Sequence, residues 1–318
     1  MNYQFSTIQE LQDILESEGL EFDGYLIQRE AFITNKSQDQ VLCELDRRIS
    51  VTRAALIRGL SEPQISRSGL TQGAAFACFE NRTWLVRDPF FQRVIAYALA
   101  INEVNACGGK IVAFPTAGSS GIVPGVLWAW WDTFAEPKSP SSPESDSLVF
   151  PFLPGPLEPP YERRLRGAFL MASLIGIVIA QGASLAGAEG GCQAECGSAG
   201  AMAAAAVAYL NGASLMACCN AAALSLKNSL GLACDPVAGL VEVPCVKRNA
   251  FVAVNAITAA QLTLAGIQSS IPFDEVLWAM KQIGDSLPAS IKESAEGGLA
   301  STPTGLRYKR IIMEGGAV

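Results

Sequence analysis

The sequence predicts an all-α fold, a multi-helix bundle whose central helices are rich in Ala and Gly and are buried. Three observations predict it. Residues from about Ser6 to Leu60 place apolar side chains at helical spacing among many charges. Gly167 to Ala188, Cys196 to Leu226 and Asn249 to Phe273 contain no charged residue and are built largely from small side chains. Gly-, Pro- and Ser-rich breaks separate the periodic stretches, and helical pattern resumes after each.

The elements follow in chain order. "LDRRISVTRAALIRGL" and the segments before it read as amphipathic helices of an outer shell. "SRSGLTQGAA", Ser66 to Ala75, is a polar, Gly-containing loop, and "FFQRVIAYALAINEVNACGG" is a helix ended by Gly108 and Gly109. "FPTAGSSGIVPG", Phe114 to Gly125, is a second loop whose backbone N–H groups and hydroxyls suit an anion such as a carboxylate. Its composition equally fits a plain connection between helices. Pro137 to Pro160 is dense in Pro and Ser and reads as an exposed, disordered insertion at 137–160 within a single domain spanning 1–318. The three uncharged segments are long enough to cross a membrane. They carry Gln181, Asn211, Asn220, Asn255 and Gln261, however, and small residues in place of Leu, Ile and Phe, so helices buried among other helices are the preferred reading, with no membrane.

Composition excludes several functions. The chain has 318 residues and a net charge of −7, with no basic face for phosphates, so no nucleic-acid partner is expected. The acidic, amphipathic start lacks the features of a signal or transit peptide, which implies a cytoplasmic location. Nine cysteines then read as reduced thiols, some of them metal-bound. The chain contains no histidine, which removes Ser-His-Asp, Cys-His and HExxH sites. No G-x-G, Walker A or G-x-S-x-G motif is present.

Chemistry is therefore sought among the thiols. Cys192 and Cys196 lie four residues apart with one charged residue, Glu195, between them. Cys234 and Cys245 lie in "LACDPVAGLVEVPCVKRNA", whose Pro and Gly residues place both on turns flanking a short extended piece. No C-x-x-C pair occurs. Three widely spaced thiols suit a cluster with one iron left for substrate, although buried thiols are more often inert packing.

"EGGCQAECGSAGAMAAAA", "LGLACDPVAGLVEVPCVKRNAF", "PTAGSSGIVPGVL" and "SIKESAEGGLASTPTGLRY" together resemble the alpha chain of the iron–sulfur L-serine dehydratases. The resemblance implies conversion of L-serine to pyruvate and ammonia at a 4Fe-4S cluster seated on inter-helix loops and held by Cys192, Cys234 and Cys245. One iron would act as Lewis acid on the β-hydroxyl. It implies a separate L-serine dehydratase beta chain as partner. Thr116, Ser119 and Ser120 become candidates to bind the substrate carboxylate, and Lys292 and Glu293 candidates for proton transfer. Cys196, Cys218 and Cys219 are read as buried packing. Gln72 stands where the family leads one to expect glycine. Three other readings remain open: a related cluster-dependent lyase such as a cysteine desulfidase, an integral membrane protein, and a noncatalytic cluster-binding subunit.

Overall fold

The computed structural model describes residues 3–81, 83–135 and 161–318. The insertion expected at 137–160 lies outside the described residues. Thirteen α-helices and no strands make up the described chain. The outer shell is α1 (Ile8–Glu18), α2 (Phe22–Thr34) and α3 (Gln38–Ser61). Thr7 and Ser37 cap α1 and α3 with capping boxes closed by Glu10 and Gln40, which satisfies N–H groups that the first turn leaves orphaned. Next come α4 (Ala74–Glu80), α5 (Pro89–Ala106) and α6 (Ile122–Trp130). Asp88 caps α5 and Pro89 occupies its first position, where a missing N–H costs nothing.

The second half contributes α7 (Tyr161–Gly182), the single turn α8 (Gly187–Gly190), α9 (Ser198–Leu210), α10 (Leu215–Lys227), α11 (Cys245–Leu264), α12 (Phe273–Ser286) and α13 (Pro303–Met313). α9 is the axis of the bundle, enclosed by α6, α7, α10 and α11. All its residues but Tyr209 are buried. Its Ala-rich sequence follows from that position, since a helix with neighbours on every side has no polar face and little room. Close approach recurs around it. A side chain at Gly200 would meet Val252 on α11, and one at Gly176 would meet Met202.

The uncharged segments are thus divided rather than continuous. Cys196 to Leu226 breaks at Asn211 to Ser214 between α9 and α10, and the third segment leaves its helix at Leu264. Among the described residues, Arg163–Gly182 in α7 is long and apolar enough to cross a membrane, and 67% of that stretch is buried inside the bundle, largely against α9.

Candidate functional site: buried thiols at the head of the central helix

Cys192 follows Gly191, whose φ of 74° turns the chain out of α8, and leads a π-helical turn, Gln193–Gly197, that runs straight into α9. Such a turn widens the helix locally and recurs at functional sites. It is tied down by Gln193. That side chain donates to the Met280 carbonyl at 2.8 Å and accepts from the Gly231 N–H at 2.9 Å. Cys234 lies between α10 and α11, where its N–H donates to the Ile291 carbonyl and its carbonyl accepts from the Glu293 N–H at 2.7 Å. Cys245 is the first residue of α11, not a turn residue, and what separates it from Cys234 is a 3₁₀ turn, Val237–Gly239, and a further turn rather than an extended piece. Pro244 explains the correction, because proline is tolerated immediately before a helix and so starts α11 instead of preventing it.

Cys192, Cys234 and Cys245 are all buried. Arg248, one turn along α11 from Cys245, donates to the Ala233 carbonyl at 2.9 Å and faces Asp235 Oδ1 at 3.6 Å. Hydrogen bonds from the Cys196 and Cys234 thiols, together with the Arg248 guanidinium, hold the Cys192 thiol well below its ordinary range. The same hydrogen bonds and burial hold Cys196 and Cys234 above theirs, and burial pushes Cys245 up to about 12. The structure therefore brings Cys196 directly against Cys192, beside the three thiols singled out above. The Cys234 thiol also faces Glu195 Oε2 at 3.7 Å. Burial and the Cys192 thiolate push Glu195 up to about 7. A methyl group at Gly187 would press on both Glu195 Oε2 and Cys234 Sγ, so this glycine keeps the space beside them open.

The Phe114–Gly125 loop enters the same region, since the Thr116 hydroxyl lies beside Glu195 and favours its charged form. Ser119 and Ser120 are fully buried and turned to the protein: the Ser119 hydroxyl donates to the Phe114 carbonyl at 2.8 Å, and Ser120 Oγ accepts from Asn102. Lys292 pairs through its backbone with Cys234. Glu293 has a φ of 61°, strained for a residue with a side chain, and its charge is felt at Glu195. The Ser66–Gly73 loop is pinned to the turn before Cys245 by Glu242, a buried carboxylate that accepts from the Ser68 and Thr71 hydroxyls, each at 2.6 Å.

A model of the serine dehydratase alpha chain family matches residues 17–300. The chain belongs to that family. Within the serine dehydratase alpha chain family it is similar to a probable L-serine dehydratase alpha chain of Bacillus subtilis, 41% identical over 98% of this chain and 96% of that one. It is also similar to an L-serine dehydratase alpha chain of Peptoniphilus asaccharolyticus, 35% identical over 98% and 99%. Against L-serine dehydratase 2 of Escherichia coli it is 34% identical over 94% of its own length but only 62% of that longer chain.

Several members of this serine dehydratase alpha-chain site are not announced by sequence. Glu195 stands out only as the lone charge between two cysteines, and Arg248 only as a neighbour of Cys245. Asp235, which accepts from the Leu299 N–H at 2.8 Å and ties the Gly298–Ser301 turn to the site, carries no motif signal, and neither do Glu242, Asn102 and Asn249. The donor set fits an iron–sulfur group: buried soft thiols from three segments, beside one guanidinium. Among the described residues no three His, Cys, Asp or Glu side chains converge on one point at single-ion reach. A cluster attaches its thiolates to different metal atoms, so it does not require such convergence.

Proposed function

We propose that this chain is the catalytic alpha chain of an iron–sulfur L-serine ammonia-lyase, a single domain over 1–318 that works in the cytoplasm with a separate beta chain. The observation that carries the reading is the burial of Cys192, Cys234 and Cys245, with Arg248 against Cys192 and Cys245 and bonded to the Ala233 carbonyl, in a chain of this family. The partner reading is supported by coverage: the chain spans nearly all of the relatives named alpha chain, but only 62% of the longer L-serine dehydratase.

L-serine loses its α-proton and β-hydroxyl, giving pyruvate and ammonia after tautomerisation and hydrolysis. A 4Fe-4S cluster held by Cys192, Cys234 and Cys245 supplies, when bound, a Lewis-acidic iron for the departing hydroxyl. The protein does the rest. Arg248 offsets the negative charge that the thiolates gather in a buried place. Thr116 and the loop that Ser119 and Ser120 brace from inside hold the substrate carboxylate. Lys292 and Glu293, on the strained segment paired with Cys234, serve the proton transfer.

The test is anaerobic purification with iron and sulfide counted, followed by pyruvate formation from L-serine with and without the beta chain. Turnover of L-cysteine in place of L-serine would transfer the site to a desulfidase. Full cluster loading with no turnover, beta chain present, would make the chain a noncatalytic cluster-binding subunit. A need for detergent to extract the unfused chain would return the membrane reading.

A further inference from the structure

Asn102 and Asn249 are fully buried, on α5 and α11, and both side chains end on the loop that carries Thr116. The Asn102 amide donates to the Ala117 and Gly118 carbonyls at 3.1 Å each and to Ser120 Oγ at 3.3 Å. The Asn249 amide donates to the same Gly118 carbonyl at 2.7 Å and to the Cys245 carbonyl at 2.9 Å, while its oxygen accepts from the Gly121 N–H at 2.9 Å. A side chain at Gly121 would run into the Ala98 carbonyl and Asn249 Oδ1, so the loop passes between α5 and α11 with no slack.

These bonds fix the loop's N–H groups as well as its carbonyls. The peptides joining Ala117 to Gly118 and Gly118 to Ser119 are trans, and a trans peptide points its N–H opposite to its C=O. With both carbonyls drawn onto the asparagines, the Gly118 and Ser119 N–H groups point away from them. Among the described residues neither N–H has an acceptor, although both residues are buried. A buried donor without an acceptor is costly, and two in succession on one loop form a seat for an anion.

We propose that Asn102 and Asn249 are positioning residues that orient the Gly118 and Ser119 N–H groups to bind the substrate's carboxylate. This rests on the serine reading of the site and assigns the carboxylate chiefly to backbone donors, with Ser119 and Ser120 as inward braces. Asn249 has a second role, because the same amide joins the loop to the peptide of Cys245.

The test uses the anaerobically prepared, cluster-loaded protein with its beta chain, and the variants Asn102→Asp and Asn249→Asp. Each replaces a donating amide with an oxygen facing the loop carbonyls. Asn102 makes no hydrogen bond to a thiol segment, so Asn102→Asp should raise KM for L-serine about tenfold, the loss of one charge-assisted hydrogen bond, with kcat within about twofold and iron content unchanged. Asn249→Asp should raise KM similarly and also lower iron retention. An Asn102→Asp protein with normal KM, or one that loses kcat and iron together at unchanged KM, overturns the proposal. Where one variant does not fold, the KM of the other decides. A wild-type protein that holds iron but ignores L-serine overturns the functional reading and the carboxylate assignment together, whereas an active wild type with insensitive variants overturns the latter alone.

Discussion

Serine substitution of single cysteines separates ligands from packing. The change keeps size but replaces a soft thiolate with a hydroxyl that is a poor iron ligand. At Cys192, Cys234 or Cys245 the expected outcome is loss of iron, sulfide and visible absorbance after anaerobic reconstitution, and with them dehydratase activity. The structure sets a different expectation at Cys218 and Cys219, both buried on α10. The Cys218 thiol already faces the Ala213 carbonyl at 3.7 Å, so a hydroxyl there finds an acceptor and Cys218→Ser should cost about 1 kcal/mol. Among the described residues no hydrogen bond to the Cys219 thiol is found, so the hydroxyl of Cys219→Ser has at best the carbonyl one helical turn earlier as acceptor, and the change should cost between about 1 and 3 kcal/mol. Urea unfolding measures both costs, and iron content should be that of the wild type. Cys196 is the decisive position because it sits against Cys192. Cys196→Ser should fold and keep its iron. A Cys196→Ser protein that folds without iron, beside a Cys245→Ser protein that retains it, would refute the ligand assignment and make the π-helical turn carry two ligands.

Glu242→Ala strands the Thr71 hydroxyl and leaves Ser68 only its bond to Ser66 Oγ, and should cost about 2–4 kcal/mol, since relief of a buried carboxylate offsets part of two charge-assisted bonds; Glu242→Gln should cost less than half of that by urea unfolding. Burial pushes the Cys218 thiol up to about 12, so above pH ~9 the unfolded chain releases a proton that the folded chain keeps. Stability from this group is complete below that pH and falls as pH rises toward 12; Cys218→Ala should flatten the decline by about 1.4 kcal/mol per pH unit, and an unchanged slope would show the thiol to be reachable by water. Exposure of the loaded protein to air should remove activity and iron together, and activity that survives with the iron lost would rule out a role for the cluster. The alpha chain alone should be weakly active, and a rate unchanged by added beta chain would remove the partner.

The helical architecture was legible because it rests on local rules. The stop at Gly108 and the Ala-rich composition of α9 act over a few residues each, and the structure repeats them; the caps it adds at Thr7, Ser37 and Asp88 obey rules just as local. The start of α11 was misplaced because Pro236, Gly239 and Pro244 all read as breakers, while in the folded chain Pro244 serves as a boundary. The site was legible in its thiols and in the segments of Thr116 and Lys292, and not in the side chains that tie them together. Glu195, Asp235, Glu242, Asn102 and Asn249 act through partners far away in the chain, Asn249 on Gly118 and Glu242 on Ser68, and no spacing rule reaches across such distances. Burial was also illegible at this scale: Ser119 and Ser120 have the residue types of an anion loop, yet their hydroxyls face the protein.

The two backbone bonds of Cys234 carry a consequence for synthesis. All three candidate ligand thiols have been translated once Cys245 is added, but the peptide of Cys234 has no partners until Ile291 and Glu293 follow it. Asp235 likewise waits for Leu299. A nascent chain that holds every thiol therefore cannot yet hold Cys234 in place, and a metal group offered at that stage would meet a flexible ligand. On the cluster reading, loading would be a late event, placed after translation has passed Leu299, because the peptide that holds Cys234 is braced by the last quarter of the chain.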